Sequence, residues 1–443
     1  MKIKYNKSPI YNIILFVFIT VAGLFEIVSF PILSDENLQY SIVFIFSVGL
    51  FLNALINTRI RNITKTYSMY FYAFLIYLAV FIIVHCFYGA IQYDEGLKSL
   101  YAPAKFFGFF FLFVPLIYTI HINNGYEQLL RNIAVATLII MAFKTLKAFA
   151  FNFAGINILN AIDSDTRYSR LRMGFPVFGP LVFMYFIDKI LNTKINKRKY
   201  YLYLAIIAYF LFYLIYINMT RMNIIGYILT LAVMILFRKR PKNKQIVIVV
   251  AVAFAATVLL TSNIFENFVA TFSETDSELY VSTLARDNSN EYFKQFPKQN
   301  LFLGMGFLSV DTPIREALFS GAEGVFHLDD LGIKNMYYHY GITGIILAVL
   351  VLGRMLYIAI YIIFFSECKN KLLITGITVF ITFTQPSLCI FDGQRMTSLI
   401  LYWAIFEYEY AHNKRIKQKF DIKNILSRRR NISEQQQPKA ELN

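Results

Sequence analysis

Apolar positions along this chain come in blocks rather than in stripes. Runs of about 17 to 25 apolar residues, each enough to cross a hydrocarbon core of about 30 Å, recur at 10–30, 38–57, 67–90, 104–120, 132–151, 173–192, 200–218, 222–237, 246–262, 337–365, 371–390 and 396–411. Between the ninth and tenth of these twelve blocks the pattern breaks, and residues 263–336 form a polar island. The pattern predicts an all-α integral membrane protein: about twelve transmembrane helices and one large outer loop. Its parts are helices one to nine over 1–262, the loop over 263–336, helices ten to twelve over 337–411, and a basic tail over 412–443. Within the island, Asp276 can cap a helix in which Tyr280, Leu284, Tyr292 and Phe296 recur at helical spacing, with Arg286 off the apolar stripe. Thr312 as cap, Pro313 at the first position and Gly321 as a stop signal a second short helix. The loop is expected to fold into short amphipathic helices against the membrane surface, as a lid or an acceptor platform.

Composition agrees with the blocks: 57% of the 443 residues are hydrophobic and 16% charged, too apolar for a soluble globular chain. The net charge of +16 could suggest nucleic acid, but Lys and Arg fall in alternate loops, as the positive-inside rule requires. No nucleic-acid partner is expected. Both termini are placed in the cytoplasm and the island outside, with the first block, behind Lys2, Lys4 and Lys7, a retained anchor. The basic stretch from His412 to Arg430 faces anionic lipid headgroups in this reading. Cys86, Cys368 and Cys389 form no C-x-x-C and read as structural; Cys86 and Cys389 fall toward the same outer side, which leaves a disulfide open.

Candidate chemistry concentrates on the outer side. Arg167, Arg170, Arg172, Arg221 and Arg286 come from three outer segments, against the positive-inside bias. A guanidinium fork matches phosphate oxygens bidentately, so a converging set would hold a pyrophosphate; the alternative is that each arginine snorkels to lipid phosphate. His327, with Asp329 beside it, could act as a general base on a hydroxyl, or be a plain surface histidine. Asp163-Ser164-Asp165 could coordinate a divalent cation, yet three arginines follow it, which favours a role in positioning them. No H-x-x-x-H or H-E-x-x-H occurs, so zinc is not expected. Gly304-Met305-Gly306 lacks the third glycine of a nucleotide fingerprint and reads as a sharp turn, while Gly341 and Gly344 read as a pair for close helix packing. Lys144 and Lys147 share a helix face near the outer end of the fifth block, where function and snorkelling weigh evenly. Glu26 and His85 are expected to be satisfied by hydrogen bonds between helices.

The order of these features resembles the family of bacterial O-antigen polymerases and the related O-antigen ligases. Arg172-Met173-Gly174-Phe175-Pro176 resembles the family's R-x-G-x-x-x-P stretch, with the proline earlier than that pattern places it. Thr220-Arg221 is similar to its Ser/Thr-Arg turn, Asn300-Leu301-Phe302-Leu303-Gly304-Met305-Gly306 to its N-P-L-x-G-x-G, and Tyr340-Gly341-Ile342-Thr343-Gly344 to its closing G-I-x-G. The likeness covers about residues 165–360, and the order and placement of the motifs carry more than any one of them. It implies a glycosyltransferase of the bacterial inner membrane acting on undecaprenyl-pyrophosphate-linked glycans, with membrane lipid around it and a flippase and chain-length regulator of the same pathway as partners. On that resemblance Arg172, Arg221 and Arg286 grip the pyrophosphate and His327 is the base, with no metal, nucleotide or other cofactor. Arg170, Gly304 and Gly306 support the site. The ligases carry a His-Asn pair where this chain has His327-Leu328-Asp329, which favours a polymerase; Asp329 would position the acceptor or orient His327. The rival readings are a ligase that attaches finished polymer to lipid A core, and a polysaccharide transporter. A transporter predicts related halves and charges near the midplane; no repeat is seen.

Overall fold

The computed structural model describes residues 8–24, 36–67, 69–94, 96–158, 164–167, 170–192, 195–238, 277–308, 318, 320–321, 324–326, 328 and 331–435. Helix dominates. The first half contains α1 (Pro9–Val21), α2 (Glu36–Ile56), α3 (Thr58–Tyr67), α4 (Met69–Tyr93), α5 (Leu97–Phe107), α6 (Phe113–Ile122), α7 (Glu127–Ala154), β1 (Ser164–Arg167), β2 (Arg170–Met173), α8 (Gly179–Asn192), α9 (Lys197–Phe212) and α10 (Arg221–Leu236). The second contains α11 (Ser277–Phe293), α12 (Gln295–Gln299), β3 (Ser320–Gly321), β4 (Gly324–Val325), α13 (Lys334–Ala348), α14 (Arg354–Phe365), α15 (Lys371–Thr384) and α16 (Gly393–Gln435).

Among the described residues, six helical stretches, Leu38–Ile56, Met69–Tyr93, Pro103–Ile122, Glu127–Ala154, Lys197–Asn218 and Lys334–Phe365, are long and apolar enough to cross a membrane; Pro9–Val21, Met222–Leu236 and Lys371–Thr384 are shorter apolar helices. The chain therefore has the make-up of an all-α membrane protein. Each apolar block of the sequence meets a helix except 246–262, which lies outside the described residues.

The departures from simple helical blocks have local causes. The block from 173 starts its helix only at Gly179, because Arg170–Met173 pairs as a strand and Pro176 has no N–H to give a helix. Periodicity alone does not foresee this hairpin. Helix α15 stops at Thr384, two residues short of Pro386. A 3-10 stretch, Gly108–Leu112, joins α5 to α6, and π-turns extend α9 over Tyr213–Asn218 and join α13 to α14 over Val349–Gly353.

Lipid gives helices no hydrophobic reason to associate, so close approach and polar contacts must hold them. The single tryptophan shows how tightly they meet: Trp403 is fully buried, with Tyr70, Phe71, Phe74, Phe110 and Phe113 around it at ring separations of 5.1 to 6.4 Å. The polar island has a small core of its own, built from Phe293, Phe296, Met305, Leu308, Leu328, Leu331 and Tyr338. Tyr292 and Phe296 of the expected stripe join or flank it, whereas Leu284 is exposed. Asp276 and residues 309–317, including Thr312 and Pro313, lie outside the described residues, and Gly321 lies in a two-residue ladder.

Candidate functional site

The hairpin sets the site. Strands β1 and β2 pair antiparallel with Asp165 opposite Arg172 and Arg167 opposite Arg170. Leu171 and Met173 are buried, and the Leu171 amide donates to Asn152 Oδ1 at the end of α7 (2.7 Å). Alternation along the strand then turns Arg170 and Arg172 to the other face; Arg170 is exposed and Arg172 half-buried. The Arg172 guanidinium donates through Nε to the Asn218 carbonyl (3.1 Å) and through Nη2 to Thr220 Oγ1 (3.0 Å). Asn218 Nδ2 donates back to the Met173 carbonyl (3.1 Å), and Tyr213 Oη donates to the Gly174 carbonyl (3.1 Å).

The Asn218 carbonyl can accept in this way because it closes the π-turn, where a helix leaves carbonyls without internal donors. Met219 then takes a left-handed conformation (φ +52°), Thr220 is extended, and α10 starts at Arg221. Two short motifs far apart in sequence are thereby one unit. The Arg221 side chain lies outside the described residues; its backbone opens α10 beside Thr220.

A second unit lies at the same end of the helix bundle. The first turns of α10 and the last turn of α15 share that end, since a Cβ on Gly226 would meet Thr384. Helix α13 breaks at Gly341 (φ +59°, ψ −147°), and the segment 301–306 runs through the break. The amides of Met305 and Gly306 donate to the carbonyls of Tyr338 (3.1 Å) and His339 (2.6 Å), and those of Ile342 and Thr343 to Leu301 (3.0 Å) and Phe302 (3.2 Å). Gly304 (φ +57°) and Gly306 (φ +78°) are left-handed, and a Cβ on Gly304 would stand 2.7 Å from the Gly341 nitrogen. The turn expected at Gly304 and Gly306 is therefore present. The expected helix-packing role of Gly341 and Gly344 is not: Gly341 makes the break, and a Cβ on Gly344 would strike the Met336 carbonyl across it. Tyr88 Oη and Tyr93 Oη of α4 donate to the Gly304 (3.4 Å) and Met305 (2.8 Å) carbonyls.

His85, fully buried on α4, makes the expected bond between helices at this break through one of its two ring nitrogens. The Thr343 hydroxyl gives its one proton to the Tyr340 carbonyl (2.7 Å), so His85 Nε2 donates to Thr343 Oγ1 (2.8 Å). Its Nδ1 has no hydrogen-bond partner among the described residues.

Of the remaining expected site residues, Arg286 is exposed on α11, one turn from Asn290, which receives bonds from Tyr338 Oη (2.8 Å) and Lys334 Nζ (3.3 Å) of α13. The structure thus joins Arg172 to the Thr220–Arg221 turn and carries Arg286 on another element. His327 and Asp329 lie outside the described residues, as does Glu26. Lys144 Nζ donates to the Gly174 carbonyl (3.4 Å), and Lys147 is buried. Cys86, Cys368 and Cys389 are not joined in a disulfide.

The opposite end of the bundle holds charges that the sequence reading does not single out. Glu407, fully buried on α16, receives both Nε (2.8 Å) and Nη2 (2.9 Å) of Arg354, plus Trp403 Nε1 (3.3 Å). The guanidinium lies 5.1 to 5.5 Å from the rings of Tyr70, Tyr357 and Tyr410. Glu409 receives Tyr126 Oη (2.7 Å), Asn370 Nδ2 (2.6 Å), Cys368 Sγ (3.2 Å) and Asn413 Nδ2 (3.4 Å). Asp188 receives Asn192 Nδ2 (2.7 Å). A signal is present in the sequence, since a charge inside an apolar block marks itself; Lys105, buried beside the Phe106 ring on α5, is a further instance. No protein-family model matches the chain, and no curated protein matches it.

Proposed function

We propose that this chain is an O-antigen polymerase, a glycosyltransferase with about twelve membrane spans that joins undecaprenyl-pyrophosphate-linked repeat units on the outer face of a bacterial inner membrane. The observation that carries the reading is the fixed guanidinium of Arg172. Two of its donors hold the turn that starts α10, which sets the plane of the fork beside a helix N-terminus bearing Arg221. A helix N-terminus and two arginines together suit a pyrophosphate. The glycine-threaded break in α13 supports the reading, because it ties the returning arm of the polar loop to the span that follows it.

In the reaction, the acceptor hydroxyl on the next repeat unit attacks the anomeric carbon of the growing chain. The bond from that carbon to the pyrophosphate oxygen breaks, and His327 takes the hydroxyl proton. Arg172, Arg221 and Arg286 neutralise the charge that builds on the leaving lipid pyrophosphate. Asp329 orients His327 or the acceptor. The chemistry uses no metal, and the acceptor and donor are both lipid-linked.

A lipopolysaccharide gel of a deletion strain tests this. A ladder collapsed to one repeat is expected. Loss of all surface polymer with chains left on the lipid carrier would make the protein a ligase, and an unchanged ladder would sink both readings. In complemented cells, Arg221→Ala and Arg286→Ala are expected to abolish elongation at unchanged protein level, and wild-type ladders from His327→Ala would remove that residue as the base.

A further inference from the structure

Both bonds described for the Arg172 fork pass through Asn218. The Asn218 carbonyl receives Nε directly. It also receives the proton of the Thr220 hydroxyl (3.3 Å), which turns the lone pairs of that hydroxyl to Nη2.

The side chain of the same residue holds the other end of the arginine. Asn218 Nδ2 donates to the carbonyl of Met173, the residue that follows Arg172 (3.1 Å). The root and the tip of one arginine side chain are thus referred to a single residue, which brackets it.

Asn218 is itself held in place. It is only 2% exposed, so its amide must find partners within the fold. Its Oδ1 accepts from Nδ2 of Asn223 (3.3 Å), a half-buried residue in the first turn of α10. The Met173 carbonyl needs a proton and Asn223 offers one, so the amide nitrogen must face the strand and the oxygen the helix. The next residue, Met219, is left-handed at φ +52°, a conformation that a residue with a side chain keeps only where its surroundings hold it. Its amide donates to the Leu214 carbonyl across the π-turn (3.0 Å).

We infer that Asn218, with Asn223 behind it, is the positioning residue of Arg172. The inference rests on the reading of Arg172 as a pyrophosphate-binding residue and deepens it. Neither asparagine meets the lipid-linked substrate. The Asn223 amide sets the Asn218 amide, which sets the strand at Met173 and the carbonyl at the tip of the arginine. The plane of the fork is the product of that relay.

Initial rates of polymerisation by the full-length protein in detergent, on labelled lipid-linked repeat units extracted from a deletion strain, test this in two backgrounds. Asn218→Asp keeps the acceptor for Asn223 but has no proton for Met173, and is expected to slow polymerisation about 10- to 100-fold. Asn223→Ala removes one neutral bond and is expected to slow it about three- to ten-fold. In the Arg172→Ala protein, itself slowed about 100-fold, each of these changes should slow the residual rate less than about two-fold, because residues that act through one group are not additive. Losses of equal fold in both backgrounds overturn the inference, since amides that only support the fold would act with or without the arginine. Wild-type rates from Asn218→Asp and Asn223→Ala also overturn it and leave the polymerase reading standing. If Asn218→Asp does not accumulate, Asn223→Ala, at a half-buried position, carries the test; failure of both makes the pair structural and overturns the inference. A wild-type rate from Arg172→Ala overturns the assignment of that arginine and the inference together, and a wild-type protein that makes no polymer from these units overturns the reading itself.

Discussion

The two ends of the helix bundle hold their charged side chains differently. At one end the buried carboxylates meet donors from the chain itself: Glu407 takes two donors of the Arg354 fork, and Glu409 takes four donors from three segments. At the other end Arg172 gives Nε and Nη2 to a carbonyl and a hydroxyl. Those two acceptors fix the plane of the fork. A carboxylate enclosed by donors of the fold reads as a fastening, whereas under the proposed function a guanidinium whose plane is set by a turn serves to meet an anion. Lying in an apolar chain does not by itself separate the two.

The comparison breaks most visibly at Glu407. Glu407→Ala leaves Arg354 without this carboxylate and should cost about 3–5 kcal/mol, read as a collapse of the melting temperature in detergent. A double change, Arg354→Met with Glu407→Leu, should recover most of it, because a well-fitted apolar pair replaces a buried ion pair at little loss. At the hairpin end the expectation reverses. Arg172→Ala should lower polymer formation by about 100-fold, a loss of about 2.7 kcal/mol in transition-state stabilisation, with a fall in melting temperature smaller than that of Glu407→Ala, because only two bonds to neutral acceptors are known to be lost. Arg172→Lys should not restore activity, since an ammonium cannot hold the Asn218 carbonyl and Thr220 hydroxyl in one plane. If Arg172→Ala melts as early as Glu407→Ala, both ends are fastenings and the distinction fails.

Smaller effects sharpen the contrast. Gly341→Ala forces a side chain into a left-handed position against the Phe302 carbonyl; strain of that kind costs about 1–3 kcal/mol, and limited proteolysis should show the 301–306 segment released first. Tyr126→Phe removes one of four donors to Glu409 and should cost about 1 kcal/mol, measured by thermal melting, with polymer length untouched.

The helical blocks were legible because an apolar run long enough for a membrane has few other uses, and each described block met a helix. Arg172, Thr220 and the glycines of 304–306 were legible as motifs, but their unions were not. Nothing in the spacing states that Arg172 reaches the Asn218 carbonyl, or that Gly304 lies against Gly341, because both are contacts between distant segments. Gly341 and Gly344 looked like helix-packing residues for the same reason: a small residue serves a helix crossing and a broken helix equally well. Glu407, Glu409 and Arg354 stand in plain view inside apolar blocks, yet a block is recognised by its average, and one or two charges barely move it.

The π-turn at Tyr213–Asn218 makes the site depend on a count of residues rather than on their kinds. Removing any one residue from that stretch would let the helix return to its ordinary winding, and everything beyond would turn by about 100°. The Asn218 carbonyl would then face away from Arg172 even with every side chain in place. A single-residue deletion there is accordingly a more severe insult than most substitutions, and length along this one helix is a quantity for a designer to hold fixed.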